Sequence, residues 1–199
     1  MTALSRRNLL GAPLVLLLPA CGRSRPQSSS ASLKIPHLRQ ETLLCVPTAA
    51  AMVLAYYGDP QSPRRLKALA VGSEYSPGQP FTDYSITPYV ALISGLGRLG
   101  YQWEQVTLPQ TEDGFRRGIS LIEADLANGR PPLVDISVGG IGHTLVVSGF
   151  DSQRQRLAFV DPDLPEPGVS SATYTEFEAV WNEAAYGGAF RAMIRTTRL

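Results

Sequence analysis

Two cysteines, Cys21 and Cys45, and two histidines, His37 and His143, are all the thiol and imidazole chemistry this 199-residue chain offers. A thiol attacks as its thiolate, which at neutral pH needs positive potential close by. Cys45-Val46-Pro47-Thr48, followed by the apolar run from Ala49 to Tyr57, reads as the opening of a helix, since proline is well tolerated in a first turn. The free N–H groups and dipole at that end favour a thiolate, but by only ~0.3–2 kcal/mol. A second cation is required, and an imidazolium is the usual one. His143 begins a strand-like run directly after the glycine loop from Gly139 to Gly142, so its ring can be exposed at a sheet edge. Asp161 closes another strand-like run, Arg156 to Asp161, whose register could set it beside His143 and orient the ring. Nucleophile, base and orienting carboxylate would each sit at the end of an element, an arrangement suited to acyl chemistry through a thioester. His37 precedes the helix by eight positions, in a segment that reads as strand or loop. The competing readings are a buried structural cysteine and a structural histidine at a strand end.

The cysteine inventory depends on the first segment. Arg6-Arg7 stand directly before the apolar run from Leu9 to Ala20, which is too short to span a bilayer as a stable helix. A positive start, a short hydrophobic stretch and a small-residue exit form the layout of a secretory signal, here over residues 1–20, and the arginine pair resembles a twin-arginine signal. Leu18-Pro19-Ala20-Cys21 resembles a lipobox, in which Cys21 is lipidated. The expectation is an exported protein held at the periplasmic side of the cell envelope, with the membrane as a partner through that lipid. Cys45 would then have no disulfide partner in an oxidising compartment, which marks it as a reactive thiol.

The elements that would position these groups follow. Residues 22–32 (GRSRPQSSSAS) are polar, serine-rich and without periodicity, so residues 21–32 read as lipidated cysteine and flexible tether, and 33–199 as one domain. The helix from Cys45 is apolar nearly all round and should be buried, with Gly58 as its C-cap. Further helices are expected over Ser62–Val71, from Thr87-Pro88 to the glycines at 97 and 100, and over roughly Glu112–Asn128. The period then changes to that of strands: Leu133–Val138, His143–Phe150 and Arg156–Asp161, with a last strand over Ala189–Thr196. Thr175 and Glu178 form a capping-box pattern for a short helix through Trp181. Helices first and strands afterwards imply an α+β fold. The segment from Gly72 to Ser85, rich in Gly, Pro, Ser and Tyr, is expected to form a loop over the cleft.

Composition excludes several alternatives. A net charge of +1 gives no bulk electrostatic reason for a nucleic-acid partner. One cysteine, one well-placed histidine and one aspartate lack tight metal-ligand spacing, so neither metal nor cofactor is expected. Hydrophobic residues at 44% and charged residues at 18% are those of a globular protein with a real core.

The motifs also carry a resemblance. The stretch from Gln40 through Cys45-Val46-Pro47-Thr48 to Tyr57-Gly58 resembles the catalytic helix of the C39-like branch of the papain superfamily. Leu126 to Val134 resembles the stretch before that family's histidine, Gly142-His143 to Asp151 its Gly-His strand, Val160-Asp161-Pro162 its Asp-Pro, and Phe177 and Trp181 a following helix. The resemblance implies a papain-like fold, with the catalytic helix packed on an antiparallel sheet. It implies Cys45 as nucleophile, His143 as general base and acid, Asp161 as orienting carboxylate and Gln40 as side-chain donor of the oxyanion hole. It also implies a peptide or acyl substrate, cut as by a cysteine peptidase, with acyl transfer to an amine and a non-catalytic binding lipoprotein as alternatives. Val46 stands where the family usually has glycine, and Gln40 lies five residues before Cys45 where other papain-like enzymes use six.

Overall fold

A computed structural model describes residues 28–73, 82–83, 85–183 and 187–199. The expected signal peptide and Cys21 lie outside these residues, as does most of the expected cleft loop.

The sheet sets the frame. In chain order the strands are β1 (Ser30–Ser32), β2 (Glu104–Pro109), β3 (Leu133–Val138), β4 (Ile141–Asp151), β5 (Arg156–Val160), β6 (Val169–Thr173) and β7 (Phe190–Arg195). They pair antiparallel in the order β2-β7-β3-β4-β5-β6, and β1 pairs with β4. The helices are α1 (Cys45–Tyr57), α2 (Pro63–Val71), α3 (Tyr89–Gly97), α4 (Glu112–Ala127) and α5 (Tyr174–Val180). Side chains alternate across the sheet. Leu133, Val146, Val160 and Ile194 join α1 to α3 in one core, while Val134, Val147, Phe159 and Met193 join α4 and α5 in another. The molecule is α+β, with helices on both faces of an antiparallel sheet.

α1 is buried over Val46–Leu54 and again at Tyr57, as an all-round apolar helix must be. It stops at Gly58, whose φ of 90° is left-handed, with the Gly58 N–H donating to Ala55 O and the Asp59 N–H to Leu54 O. Beyond that end the Tyr57 hydroxyl meets Thr196 Oγ1 at 2.8 Å, and Thr196 in turn donates to Pro131 O. α2 has Ser62 as its N-cap, Oγ accepting from the Arg65 N–H at 3.1 Å.

Three sequence expectations are corrected. Ser30–Ser32, read as the end of the tether, pair with Gly149–Asp151 along the edge of β4 that β3 leaves open. The glycine loop is a two-residue turn: Gly139 and Gly140 have φ of 58° and 80°, and Ile141 already faces Val138 in β4. The capping box sits two residues earlier than expected. Thr173 Oγ1 accepts from the Glu176 N–H at 3.2 Å, and Glu176 Oε2 accepts from the Thr173 N–H at 2.7 Å. Thr173 leaves β6 extended, as an N-cap must be, whereas Thr175 is already inside the helix.

Candidate active site

Cys45 is the first residue of α1 and half-buried. The N-cap residue Leu44 contributes no side-chain hydrogen bond, so no side chain competes with the sulfur for the helix's leading N–H groups there. The turn ahead of the helix is closed by the Leu44 N–H donating to Glu41 O, with Leu43 at a φ of +60°. Such a conformation is costly for a branched residue and persists only where its surroundings enforce it. Val46 is helical and needs no glycine freedom; the strained position lies at Leu43 instead.

His143 faces Ile136 on β3. The turn at Gly139-Gly140 fixes that register. On its other side β5 ends at Val160, opposite Val146, so the histidine projects from a part of β4 with no β5 neighbour. Asp161 is the next residue after β5. His143 Nε2 lies 2.7 Å from Asp161 Oδ1, and their side chains are only 19% and 16% exposed. Cys45 is close enough to His143 to favour the charged form of the ring. With Nε2 engaged by the carboxylate, Nδ1 is the ring atom left for the sulfur.

The electrostatics follow from these contacts. Burial works against a charge on His143, but the bond to Asp161 and the nearby Cys45 outweigh it and raise its pKa to about 10. Burial would likewise raise Asp161, yet the His143 bond and the Asp163 N–H, which donates to Oδ1 at 2.8 Å, hold its carboxyl below the usual range. The ring is thus an imidazolium and the aspartate ionised at neutral pH. An imidazolium beside a sulfur at a helix start supplies the cation that the dipole alone cannot replace.

His37, left as strand or loop from sequence, clips this arrangement. Its Nε2 meets the Asp161 carbonyl oxygen at 3.2 Å. It packs so closely on Gly168, whose φ is +66°, that a Cβ there would come within 2.2 Å of the ring. The Gly168 carbonyl accepts from the Asp161 N–H at 2.8 Å, pinning the backbone of Asp161 from both sides. Gln40 is brought to the same loop: its N–H donates to Pro162 O at 2.8 Å and its Nε2 to Asp163 Oδ1 at 3.2 Å. Its Oε1 is buried without a partner. Gln40 therefore stands beside the Asp161 loop, with its amide donating to that loop.

A second polar group was missed from sequence. Asp135, Thr144, Tyr89 and Glu183 meet beside the helix start, with Thr144 Oγ1 donating to Asp135 Oδ1. The one sequence signal was an aspartate inside the apolar run Leu133-Val134-Asp135-Ile136. Among the described residues, no group of three or more His, Cys, Asp or Glu side chains could hold a metal ion.

Comparison with known proteins bears on the fold and the family. No curated protein matches the chain. Among solved structures, the peptidase domain of Streptococcus ComA, a bi-functional ABC transporter involved in a quorum sensing pathway, superposes with a TM-score of 0.56 at 20% identity. That match covers 82% of this chain and 98% of the other, and it establishes the fold. The peptidase domain of Streptococcus mutans ComA gives 0.49 at 19% identity over 82% and 100%. Xylellain, a cysteine protease from Xylella fastidiosa, gives 0.49 at 13% over 86% and 87%. The model of the Peptidase_C39 like family matches residues 32–189, most of the chain. The protein is a cysteine peptidase, and it belongs to the Peptidase_C39 like family.

Proposed function

We propose that Cys45, His143 and Asp161 carry the reaction, with Cys45 forming a thioester with the acyl half of a peptide. The observation that supports this most is the chain of contacts from the helix-start sulfur through the His143 ring to the Asp161 carboxylate at 2.7 Å. The thiolate attacks the scissile carbonyl carbon. The charge developing on the carbonyl oxygen is met by the Cys45 backbone N–H and by the Gln40 side-chain amide, which turns from Asp163. Imidazolium His143 gives its proton to the leaving amine as the C–N bond breaks. The neutral ring then takes a proton from water, whose oxygen attacks the thioester, releasing the carboxylate and regenerating the thiolate. Asp161 holds the ring in one orientation through both steps.

Alkylation with a mild thiol reagent, read by mass spectrometry, tests this. Cys45 should label rapidly below neutral pH and slowly in His143→Ala; a Cys45 inert until denaturation would refute the assignment. Turnover of peptidyl esters with and without an added amine then separates hydrolysis from acyl transfer.

The same proposal places the enzyme outside the cytoplasm, tethered by lipid at Cys21. Its support is the arginine pair before a short apolar run and the Leu-Pro-Ala-Cys exit. Metabolic labelling with a radioactive fatty acid should mark the wild type and not Cys21→Ala; equal labelling would contradict the anchor.

A further inference from the structure

Beside the first turn of α1 lies a cavity of about 240 Å³. Its walls include Val46, Pro88 and Phe190, its rim the exposed Ile86 and Val90, and its polar part Asp135 and Glu183. Val46 is bonded to Cys45, so the two Cα atoms are about 3.8 Å apart. Asp135 faces Thr144, the residue after His143, across the β3–β4 pair. The cavity therefore begins at the residue next to Cys45, and its Asp135 lies close enough to His143 to feel the charge of the ring.

Its polar atoms include several acceptors that lack partners. Glu183 Oε1, Thr87 Oγ1 and Gln105 Oε1 are buried with no hydrogen bond, although Thr87 is only 2% and Glu183 only 7% exposed. The Tyr89 hydroxyl faces Asp135 and Thr144 without completing a well-formed bond. Burial and then the nearby Asp135 raise Glu183 to about 8, so at neutral pH it keeps its proton and the pair carries at most one negative charge. Neither carboxyl forms an ion pair with a lysine or arginine among the described residues. Buried polar groups are ordinarily satisfied, and buried charge is ordinarily paired. An apolar sleeve ending in unpaired acceptors and two buried carboxyls has the chemistry to hold an aliphatic stem with a cationic, donor-rich head.

We infer that this cavity is a specificity pocket for a basic side chain, lysine or arginine, of the peptide substrate. The methylenes lie along Val46, Ile86 and Val90, and the cation meets Asp135 and Glu183, with Thr87 and Gln105 accepting its remaining protons. The inference rests on the reading of Cys45 as nucleophile, because only then does a pocket beside Val46 border the scissile bond. Glu183 is set for the role by its loop: its N–H donates to Phe190 O, and its carbonyl accepts from the Gly188 N–H, both at 3.0 Å.

The test has a binding arm and a cleavage arm. NMR titration of the full chain carrying Cys45→Ala compares N-acetyl-lysine amide with N-acetyl-norleucine amide, which has a stem but no charge. The lysine amide should bind about tenfold tighter or more, and Glu183→Gln or Thr87→Val should shrink that ratio. A peptide library cut by the wild-type chain should show enrichment of lysine or arginine at one position beside the cut. Equal binding of the two amides, or a ratio untouched in both variants, overturns the pocket even where peptides are cleaved. Lysine preference in binding with no Cys45-dependent cleavage leaves the pocket standing and removes the nucleophile instead. Should Glu183→Gln fail to fold by circular dichroism, the amide comparison and Thr87→Val still decide.

Discussion

At the scale of single residues, the site is an exchange of costs between burial and pairing. His143 is mostly buried and yet charged, because Asp161 and Cys45 stabilise the imidazolium more than desolvation opposes it. A ring with a pKa near 10 remains a competent acid far above the ordinary histidine range, so the alkaline limb of kcat/KM should fall near that value. Asp161→Asn removes one of the two stabilising partners, and its limb should move down by about 1–3 units. Titration of the ring protons by NMR reads the same quantity without turnover, and an unmoved ring pKa would deny Asp161 its part. Gln40 makes a different prediction. Its amide is engaged with Asp163, and in the proposed reaction it meets the negative charge that develops on the substrate oxygen. Gln40→Ala should lower kcat by about 10²–10³ with little change in KM. A change confined to KM would make Gln40 a ground-state contact.

At the scale of elements, what was legible in the sequence was whatever an element announces at its own ends. Cys45, Gly58, Ser62 and Gly72 mark helix boundaries with local chemistry, and the structure places caps or starts at each. His143 and Asp161 were legible because both stand near strand ends whose pairing is short-range. The strands β1, β2 and β6 were not: Ser30–Ser32 and Val169–Thr173 show no clean alternation, β2 alternates only over the four residues from Gln105 to Leu108, and all three exist by pairing with partners elsewhere in the chain. The polar group around Asp135 was illegible for the same reason: its members come from α3, β3, β4 and the loop before β7, and only folding assembles them. The packing of α4 on α5 adds a prediction that helix propensity would get wrong in sign. Gly118 is mid-helix, where alanine is ordinarily better by about 1 kcal/mol. Here an added Cβ would lie 2.4 Å from Trp181 Cη2 and 2.8 Å from Leu108 Cδ1. Trp181 cannot easily yield, being stacked on Phe177 at 4.9 Å and donating Nε1–H to Ala192 O. Gly118→Ala should therefore destabilise the fold by about 1–3 kcal/mol in urea unfolding; a stabilised variant would show that the interface is loose.

At the scale of the whole molecule, the site and its neighbouring pocket should shape how stability depends on pH. Asp161 is held below its ordinary range, so its contribution is present above that range and lost as pH falls through its folded pKa. His143 is raised from 6.5 to about 10, so its contribution is complete below about pH 6.5 and lost as pH rises toward 10. Burial and then the nearby Asp135 raise Glu183 from 4.5 to about 8. The folded state therefore keeps a proton that the unfolded chain releases, and stability falls as pH climbs from about 4.5 to 8. The last two act in the same direction over neighbouring windows, while the first acts only in acid. The urea midpoint should accordingly be highest at mildly acidic pH and lower at pH 7 and again at pH 9. Glu183→Gln cannot ionise, so it should lessen the fall between about pH 4.5 and 8 and leave the part from His143, from about pH 6.5 to 10, in place. Equal slopes in wild type and variant would mean that Glu183 is already ionised in the folded protein at neutral pH. The pocket would then carry two negative charges rather than one, and a single buried cation could no longer balance it.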